Sequence, residues 1–170
     1  AMLTALVRKS LPSAPLFTFS APKMRSGKSL LADVGAMLAT GRPCAVLSQA
    51  GDPEEERKRL LALLLAGDSV ICLDNIEHPL GGAVLCQILT QEAIQDRVLG
   101  VSKMATAPTS VTVYATGNNL VVEGDLTSRV VPILLDPAME RPEERSFPLN
   151  LYTYIPRHRG ELVKAALTIL

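Results

Sequence analysis

Several features that would assign a protein to a class at once are absent from this sequence. Its 17 basic and 17 acidic side chains cancel, so the overall charge indicates neither a nucleic-acid nor a membrane partner, and any nucleic-acid contact requires a local basic patch. No apolar run approaches the roughly 20 residues of a membrane-spanning helix, and the start of the chain lacks the order of a secretory signal. We therefore expect a cytoplasmic protein with no membrane partner.

Cysteine and histidine are also scarce. Cys44, Cys72 and Cys86 lie in apolar surroundings and lack the paired spacing of metal ligands, which predicts buried free thiols in a reducing compartment. His78 and His158 are far apart, and neither has a cysteine or another histidine at ligand spacing. The sequence therefore does not predict a zinc site.

The sequence does contain an alternation of short apolar runs with helical patterns. Its hydrophobic content of 48% is enough for the core of one domain. Short apolar or β-branched runs predict buried strands at 16–20, 44–47, 70–73, 111–115 and 130–135. Apolar spacing and capping residues predict helices at 30–41, 53–65, 83–91 and 160–170. The segment 96–110 favours a hairpin or a long loop.

Strands that alternate with helices imply a mostly parallel sheet, because parallel neighbours need crossover connections. The predicted fold class is an α/β three-layer sandwich, with helices on both faces of a five-stranded sheet whose third strand lies beside the first. Residues 1–148 are predicted to form its core, with the proline-rich segment 141–148 as a linker. Residues 149–170 would begin a C-terminal helical lid, and we expect it to continue in a longer protein because its apolar pattern has no stop signal.

The segment APKMRSGKS, residues 21–29, follows the first predicted strand and directly precedes a helix. A polyphosphate needs inward-pointing backbone N–H groups, a helix N-terminus, a lysine charge and a hydroxyl for Mg²⁺, and this unit supplies all of them. Lys28 is expected to reach the β- and γ-phosphates and Ser29 to bind the metal, although Pro22 stands where the pattern has its first glycine. The predicted nucleotide-binding residues are Pro22, Lys23, Met24, Arg25, Ser26, Gly27, Lys28, Ser29 and Leu30.

A second signal is the apolar strand VICLD, residues 70–74, which ends in a carboxylate. Such an acid lies beside the water shell of a bound metal, so Ser29 and Asp74 are the predicted metal-binding pair. Each signal alone has a simple structural explanation, since basic turns and aspartates both cap helices and turns. Their order and their spacing of 45 residues favour a nucleotide site.

With these motifs the chain resembles the AAA+ branch of P-loop ATPases over nearly its whole length. VTVYATGNN, residues 111–119, is similar to the strand whose asparagine orients the attacking water, and Asn118 and Asn119 are both candidates. GDLTSRV, residues 124–130, resembles the short helix that ends in an arginine finger for the neighbouring subunit, which implies Arg129. Together with ICLDN and ERPEERSF, these motifs look most like the ATPase portion of phage and prophage primase–helicase proteins.

The resemblance implies a P-loop domain that binds and hydrolyses ATP with Mg²⁺ in a homo-oligomeric ring. Hydrolysis would be coupled to DNA remodelling or unwinding in replication. Arg97 and Lys103 are candidates for facing DNA in a central pore if the segment 96–110 is a hairpin. A solvated edge hairpin protected by its charges is an equal alternative.

The residue that follows the strand-ending aspartate departs from the resemblance. Family members have a glutamate there as the base that activates water, whereas Asn75 cannot accept a proton. Glu77 is nearest in sequence and is the predicted base. Glu55 and Glu56 are alternatives at the start of a helix, where acids ordinarily favour the helix dipole. Gln49 is a candidate contact to the γ-phosphate or a sensor of DNA.

Two other functions are compatible with the same motifs. A small P-loop phosphotransferase, or kinase, would require a substrate pocket and an arginine-rich lid. A degenerate nucleotide-binding module that holds an assembly together is favoured by Pro22 and Asn75. If Arg129 is not the arginine finger, Arg141 and Arg145 are the next candidates.

Overall fold

The computed structural model describes residues 1–97 and 104–170. The helices in these ranges are α1 (Met2–Val7), α2 (Lys28–Thr40), α3 (Pro53–Ala66), α4 (Ala83–Thr90) and α5 (Leu151–Ile169). The strands are β1 (Leu16–Ala21), β2 (Ala45–Ser48), β3 (Val70–Ile76), β4 (Ala93–Arg97), β5 (Met104–Pro108), β6 (Thr112–Asn118) and β7 (Val130–Leu134). Short 3₁₀ segments are Arg8–Ser10, Gly124–Arg129 and Pro142–Glu144.

The central sheet has five strands in the order β2-β3-β6-β1-β7. Every pairing within it is parallel, so the predicted α/β fold class is confirmed. The expectation that the third strand lies beside the first is wrong, because β6 lies between them. Tyr114 of β6 is opposite Phe17 of β1 on one side and Cys72 of β3 on the other.

Helices cover both faces of the sheet. On one face, α3 and α4 pack on the alternate strand residues Ile71, Leu73 and Val113 in the largest hydrophobic cluster. On the other face, α1 and α2 pack against Phe17, Phe19 and Tyr114. The period-two alternation of strand side chains therefore divides the core into two layers around the sheet.

Strands β4 and β5 form a separate antiparallel pair, from Ala93 opposite Pro108 to Arg97 opposite Met104. This pairing favours the hairpin alternative for the segment 96–110. Lys103 lies with the rest of 98–103 outside the described residues, so its predicted role in a pore has no structural counterpart here.

The two ends of the chain differ from the sequence prediction. Helix α1 was not expected, and it is followed by Arg8, a buried residue whose guanidinium donates to the carbonyl oxygens of Thr109 and Val111 at 3.0 and 2.9 Å. The final helix begins at Leu151 instead of residue 160, because Asn150 accepts a capping hydrogen bond from the amide of Tyr152. Proline disfavours the interior of a helix, so the sequence did not predict one over this stretch. Pro156 nevertheless lies inside the helix.

Of the cysteines, Cys72 is buried as predicted, whereas Cys44 and Cys86 are only half-buried, and all three thiols are free. In the parts of the chain that the structure describes, no helix combines the length and apolar character needed to cross a membrane.

Candidate nucleotide-binding site

The loop between β1 and α2 is shaped by left-handed backbone at Arg25 and Gly27, with φ of +54° and +93°. Glycine suits the second position, since the helix begins there with the amide of Leu31 donating to the carbonyl oxygen of Gly27 at 3.1 Å. The buried Ser26 hydroxyl donates to the carbonyl oxygen of Lys23 at 2.6 Å. Residues 25–30 line a cavity of about 250 Å³ at this helix N-terminus.

Lys28 lies at the first position of α2, and its ammonium is held over the loop. Its Nζ donates to the carbonyl oxygen of Lys23 at 3.1 Å and to Oδ1 of Asn118 at 2.8 Å. Burial lowers the pKa of Lys28, while the carboxylate of Asp74 acts in the opposite direction. The fold therefore places a cation and two polar strand ends beside the loop, at one edge of the sheet.

Ser29 and Asp74 meet although their strands are not neighbours. The Ser29 hydroxyl donates to Oδ1 of Asp74 at 2.9 Å, and the buried Thr116 hydroxyl donates to the same oxygen at 2.5 Å. Thr116 belongs to β6, the strand that lies between β1 and β3, so its hydroxyl bridges the gap that the intervening strand creates.

A divalent cation of the hard type fits this pair of oxygen donors. Mg²⁺ commonly takes one or two protein oxygens and completes its octahedral shell with water and phosphate oxygens. Residues 1–97 and 104–170 contain no group of three His, Cys, Asp or Glu side chains that could hold a metal alone. Ser29 and Asp74 are therefore suited to a cation that arrives with a polyphosphate.

Asn75 occupies an irregular position at the end of β3. Its φ is +54°, and the register between β3 and β6 shifts between Leu73 and Ile76. Its backbone N–H donates to the Thr116 hydroxyl at 3.1 Å, and its Nδ2 donates to Oε1 of Glu77 at 3.0 Å. The asparagine thus holds the predicted base next to the strand end that contains Asp74.

Gly117 explains how β6 approaches this irregular strand end so closely. A Cβ at Gly117 would lie 2.8 Å from the carbonyl oxygen of Ile76 and 3.2 Å from the side chain of Leu120. The 2.8 Å approach to a backbone oxygen is too short for a side chain, so packing against Ile76 requires the glycine in ATGNN, and the contact with Leu120 would also be tight.

The structure separates the two candidate asparagines. Asn118 lies opposite Ala21 at the end of β1 and directs its side-chain oxygen to Lys28. Asn119 lies in the following turn with φ of +46°, and its backbone N–H donates to the carbonyl oxygen of Ala21 at 3.1 Å. Asn118 is therefore placed at the phosphate-binding loop, and Asn119 shapes the turn.

The alternative carboxylates at the start of α3 have different surroundings. Glu55 accepts from Nε of Arg59 at 2.8 Å in an exposed ion pair. Glu56 helps to line a cavity of about 520 Å³ beyond the ends of β2 and β3. Burial raises the pKa of its carboxyl group. Gln49 closes one side of this cavity, since its side chain accepts from the amide of His78 at 3.1 Å and donates to the carbonyl oxygen of the same residue at 3.4 Å.

Arg129 lies away from the loop of its own chain. Its Nη1 donates to the carbonyl oxygen of Asp125 at 2.5 Å and to the hydroxyl of Ser128 at 3.1 Å. Leu16 at the start of β1 is opposite Val130 at the start of β7, so Arg129 lies at the amino edge of the sheet. The loop follows the other end of β1, six residues later, and six strand residues span roughly 20 Å.

Three residues of the site were not singled out for their structural roles by the sequence. Thr116 supports Asp74, as described above. Lys23 donates from Nζ to the carbonyl oxygens of Met139 and Glu140 at 3.1 and 3.2 Å, and Nη2 of Arg145 donates to the carbonyl oxygen of Ser26 at 3.1 Å. The segment 138–150, which we call the strap, therefore contacts the loop at two points.

The predicted linker is thus part of the site. The partners in the strap contacts are separated by 116 to 119 positions in the sequence. A local sequence pattern therefore cannot predict them. Thr116 had a weak signal, because it precedes the polar end of an otherwise apolar strand.

A parallel sheet with a phosphate-binding loop at the carboxyl end of an inner strand, and helices on both faces, is the architecture of P-loop domains. The solved structures similar to this chain include the NrS-1 C-terminal region in its A-form apo structure, with a TM-score of 0.65 and 14% identity over 97% of this chain and 39% of that chain. They also include the JCV helicase, with a TM-score of 0.50 and 15% identity over 98% of this chain and 44% of that chain.

The chain spans less than half the length of either structure. At these identities the likeness shows the fold alone, a parallel α/β sheet with helices on both faces. No family model matches the sequence, and no curated protein matches it.

Proposed function

We propose that this chain is an ATPase domain that binds ATP with Mg²⁺ and hydrolyses it. The proposal rests on two side-chain pairs that meet at the end of one loop. Lys28 contacts Asn118 at 2.8 Å, and Ser29 contacts Asp74 at 2.9 Å. A hydroxyl, a carboxylate, an ammonium and an amide at a helix N-terminus are the groups that phosphoryl transfer to water requires.

Each residue then has a defined task. Lys28 exchanges its contacts with Asn118 and the loop carbonyl for the β- and γ-phosphates, which the loop amides also hold. Ser29 and Asp74 would hold Mg²⁺, which when bound neutralises charge that develops on the phosphate oxygens. Thr116 keeps the Asp74 carboxylate directed at the metal, and Asn118, once released by Lys28, orients the attacking water.

We propose Glu77 as the general base. It is exposed, carries no ion pair among the described contacts and is held by the side chain of Asn75. Glu56 is the second candidate, because the burial that raises its pKa also makes it a better proton acceptor near neutral pH. Retained ATP binding with lost turnover in Glu77→Gln, but not in Glu56→Gln, supports the first assignment, and the opposite pattern supports the second.

The wider role that we propose is coupling of hydrolysis to movement on or remodelling of DNA, in a homo-oligomeric ring of the AAA+ kind. The likeness of the fold to a helicase supports this role, as does the placement of Arg129 far from its own loop. The sequence motifs favour the replication proteins of phages and prophages within that group.

Calorimetric titration of the chain with MgATP tests the proposal. Lys28→Ala should weaken binding at least tenfold and leave the fold intact, because the ammonium faces the loop and does not belong to the core. Lys9→Ala is the matched control, since Lys9 is an exposed lysine at the opposite edge of the sheet. Equal affinity of Lys28→Ala and the wild type would refute the nucleotide site.

A degenerate module that binds ATP without hydrolysing it is the second candidate. Pro22 removes a backbone donor from the loop, and Asn75 stands where a base is usual. Release of phosphate from ATP in the presence of single-stranded DNA separates the two: turnover supports the ATPase, and tight binding without turnover supports the module.

A further inference from the structure

We propose that Phe147 stacks on the base of the bound nucleotide, and that the strap makes one wall of the nucleotide site. The inference rests on the proposed function, because it needs a nucleotide on the loop. It assigns a contact to the base, which the phosphate-binding groups do not recognise.

Phe147 differs from the other phenylalanines of the chain in its exposure. Phe17 and Phe19 are 5% and 3% exposed and pack edge-on against Tyr114 with ring centroids 6.1 and 5.5 Å away. Phe147 is 65% exposed and belongs to none of the hydrophobic clusters among the described residues. Its ring therefore leaves an apolar face open to solvent, on which the flat face of a ligand can stack.

The position of this ring is set by Arg145. The guanidinium of Arg145 donates to the carbonyl oxygen of Ser26, inside the phosphate-binding loop, at 3.1 Å. The same guanidinium lies 5.4 Å from the centroid of the Phe147 ring. One side chain thus connects the loop to the aromatic ring, and Lys23 fixes the beginning of the strap to the loop as well.

The chemistry of the two groups suits a nucleobase. A base presents a flat π-face that stacks on an aromatic ring or a guanidinium plane, and such stacking tolerates different bases. Among the described side chains and backbone groups, Arg145 contacts neutral groups, namely the carbonyl oxygens of Ser26 and Pro142 and the ring of Phe147. Its charge is therefore available to strengthen a stacked base on the same platform.

The test compares two ligands that share the phosphates but not the base. MgATP and magnesium tripolyphosphate are titrated calorimetrically into the wild type, Phe147→Leu and Phe147→Tyr. Leucine keeps apolar volume without the π-face, and tyrosine keeps the ring. We expect Phe147→Leu to bind ATP roughly fivefold to a hundredfold more weakly, Phe147→Tyr to bind it within about twofold of the wild type, and tripolyphosphate to bind all three proteins equally.

The outcomes separate this inference from the proposed function. Unchanged ATP affinity in Phe147→Leu overturns the stacking role, as does an equal loss for ATP and tripolyphosphate, which would mean that Phe147 supports the loop and not the base. A wild type that binds neither ligand overturns the nucleotide site itself. Leu167→Ala, which removes an exposed apolar side chain from α5, should bind both ligands as the wild type does.

Discussion

Thr116 shows how much of this site depends on one hydroxyl. It donates to the carboxylate of Asp74 at 2.5 Å and accepts the backbone N–H of Asn75 at 3.1 Å. It is 1% exposed, so water cannot replace either partner. Strand β6, which contains Thr116, therefore helps to position Asp74 of β3.

We predict that Thr116→Val lowers the free energy of unfolding by about 2 kcal/mol, because a buried amide and a hydrogen bond to a charged group lose their partner. The Mg²⁺ concentration needed for ATP binding should also rise severalfold, since Asp74 is no longer held toward Ser29. Urea denaturation and ATP titration at several Mg²⁺ concentrations measure the two effects.

Thr116→Ser is the control for that prediction, because it keeps the hydroxyl and removes only a methyl group. It should keep the Mg²⁺ dependence of the wild type. If the valine and serine variants respond alike to Mg²⁺, the hydroxyl has no part in positioning Asp74.

Asn118 and Asn119 are adjacent but should respond in opposite ways to substitution. Asn118→Ala removes the acceptor of Lys28 and should slow ATP hydrolysis by about a hundredfold or more, by analogy with the loss of a group that positions a reactant. Asn119→Gly should keep activity and fold stability within about 1 kcal/mol, because glycine adopts a φ of +46° without strain. Steady-state hydrolysis and thermal unfolding of both variants decide the matter, and a slow Asn119→Gly with a fast Asn118→Ala would reverse the assignment.

At the scale of helices and strands, periodicity predicted which segments are regular but not how they meet. All five predicted strands of the central sheet are present, with bounds that differ by up to three residues. The order of the strands was wrong in one place, since apolar runs record burial and contain no information about which strand lies between β1 and β3. Ser29 and Asp74 were nevertheless paired correctly in space, because both lie at the carboxyl edge of the sheet.

The strap and α5 mark the limit of prediction from local pattern. The proline-rich composition of the strap predicted a linker, and composition cannot reveal contacts to a loop more than 100 residues earlier in the chain. For α5, Pro156 interrupted the helical pattern, so the sequence predicted only the last part of the helix. Tertiary contacts with α2 stabilise the rest.

Arg159 provides a polar group of those contacts. Its guanidinium donates to the carbonyl oxygens of Met37, Leu38 and Ala39 at 2.8 to 3.2 Å. These carbonyls end α2, where a cation also interacts favourably with the helix dipole. The far end of α2, where the backbone N–H of Gly41 already donates to the carbonyl oxygen of Met37, is therefore capped further by α5.

We predict that Arg159→Ala lowers the free energy of unfolding by about 2 kcal/mol, since it removes the hydrogen bonds with which α5 adds to the capping of α2 by Gly41. Arg157→Ala is the matched control, because Arg157 is an exposed arginine on the same helix, and it should change stability by less than about 0.5 kcal/mol. Urea denaturation of both variants measures the difference. Equal stabilities would show that α5 is not held through this cap.

Beside the hydrophobic cluster in which Ile155 packs on α2, Tyr152 makes a second polar contact, by donating from its hydroxyl to Oδ2 of Asp33 at 2.7 Å. This hydrogen bond raises the pKa of Tyr152 to about 12. The protonated phenol is therefore favoured in the folded protein, so this contribution to stability is present below the ordinary pKa of tyrosine and is lost as the pH rises through about 12. At neutral pH both contacts with α2 are intact.

At the scale of the whole molecule, the sheet separates two candidate sites. The phosphate-binding loop lies at its carboxyl edge, and Arg129 lies at its amino edge beside the start of β1. The length of the strands between them exceeds the length of an arginine side chain. A catalytic role for Arg129 therefore requires the nucleotide of another subunit, in agreement with an arginine finger that acts in trans.

We predict that Arg129→Ala binds ATP with wild-type affinity but hydrolyses it on the order of a thousandfold more slowly in the assembled protein, because the guanidinium would stabilise charge on the neighbour's γ-phosphoryl group. Mixing Arg129→Ala with Lys28→Ala should restore part of the activity, since a hybrid interface pairs an intact loop from one subunit with an intact arginine from the other. Arg42→Ala is the control, because Arg42 is exposed and its guanidinium pairs with Asp68 in its own chain. Phosphate release at a fixed total protein concentration measures all four samples. Wild-type turnover by Arg129→Ala would exclude the finger, and absence of recovery in the mixture would indicate that Arg129 acts on the assembly and not on the nucleotide.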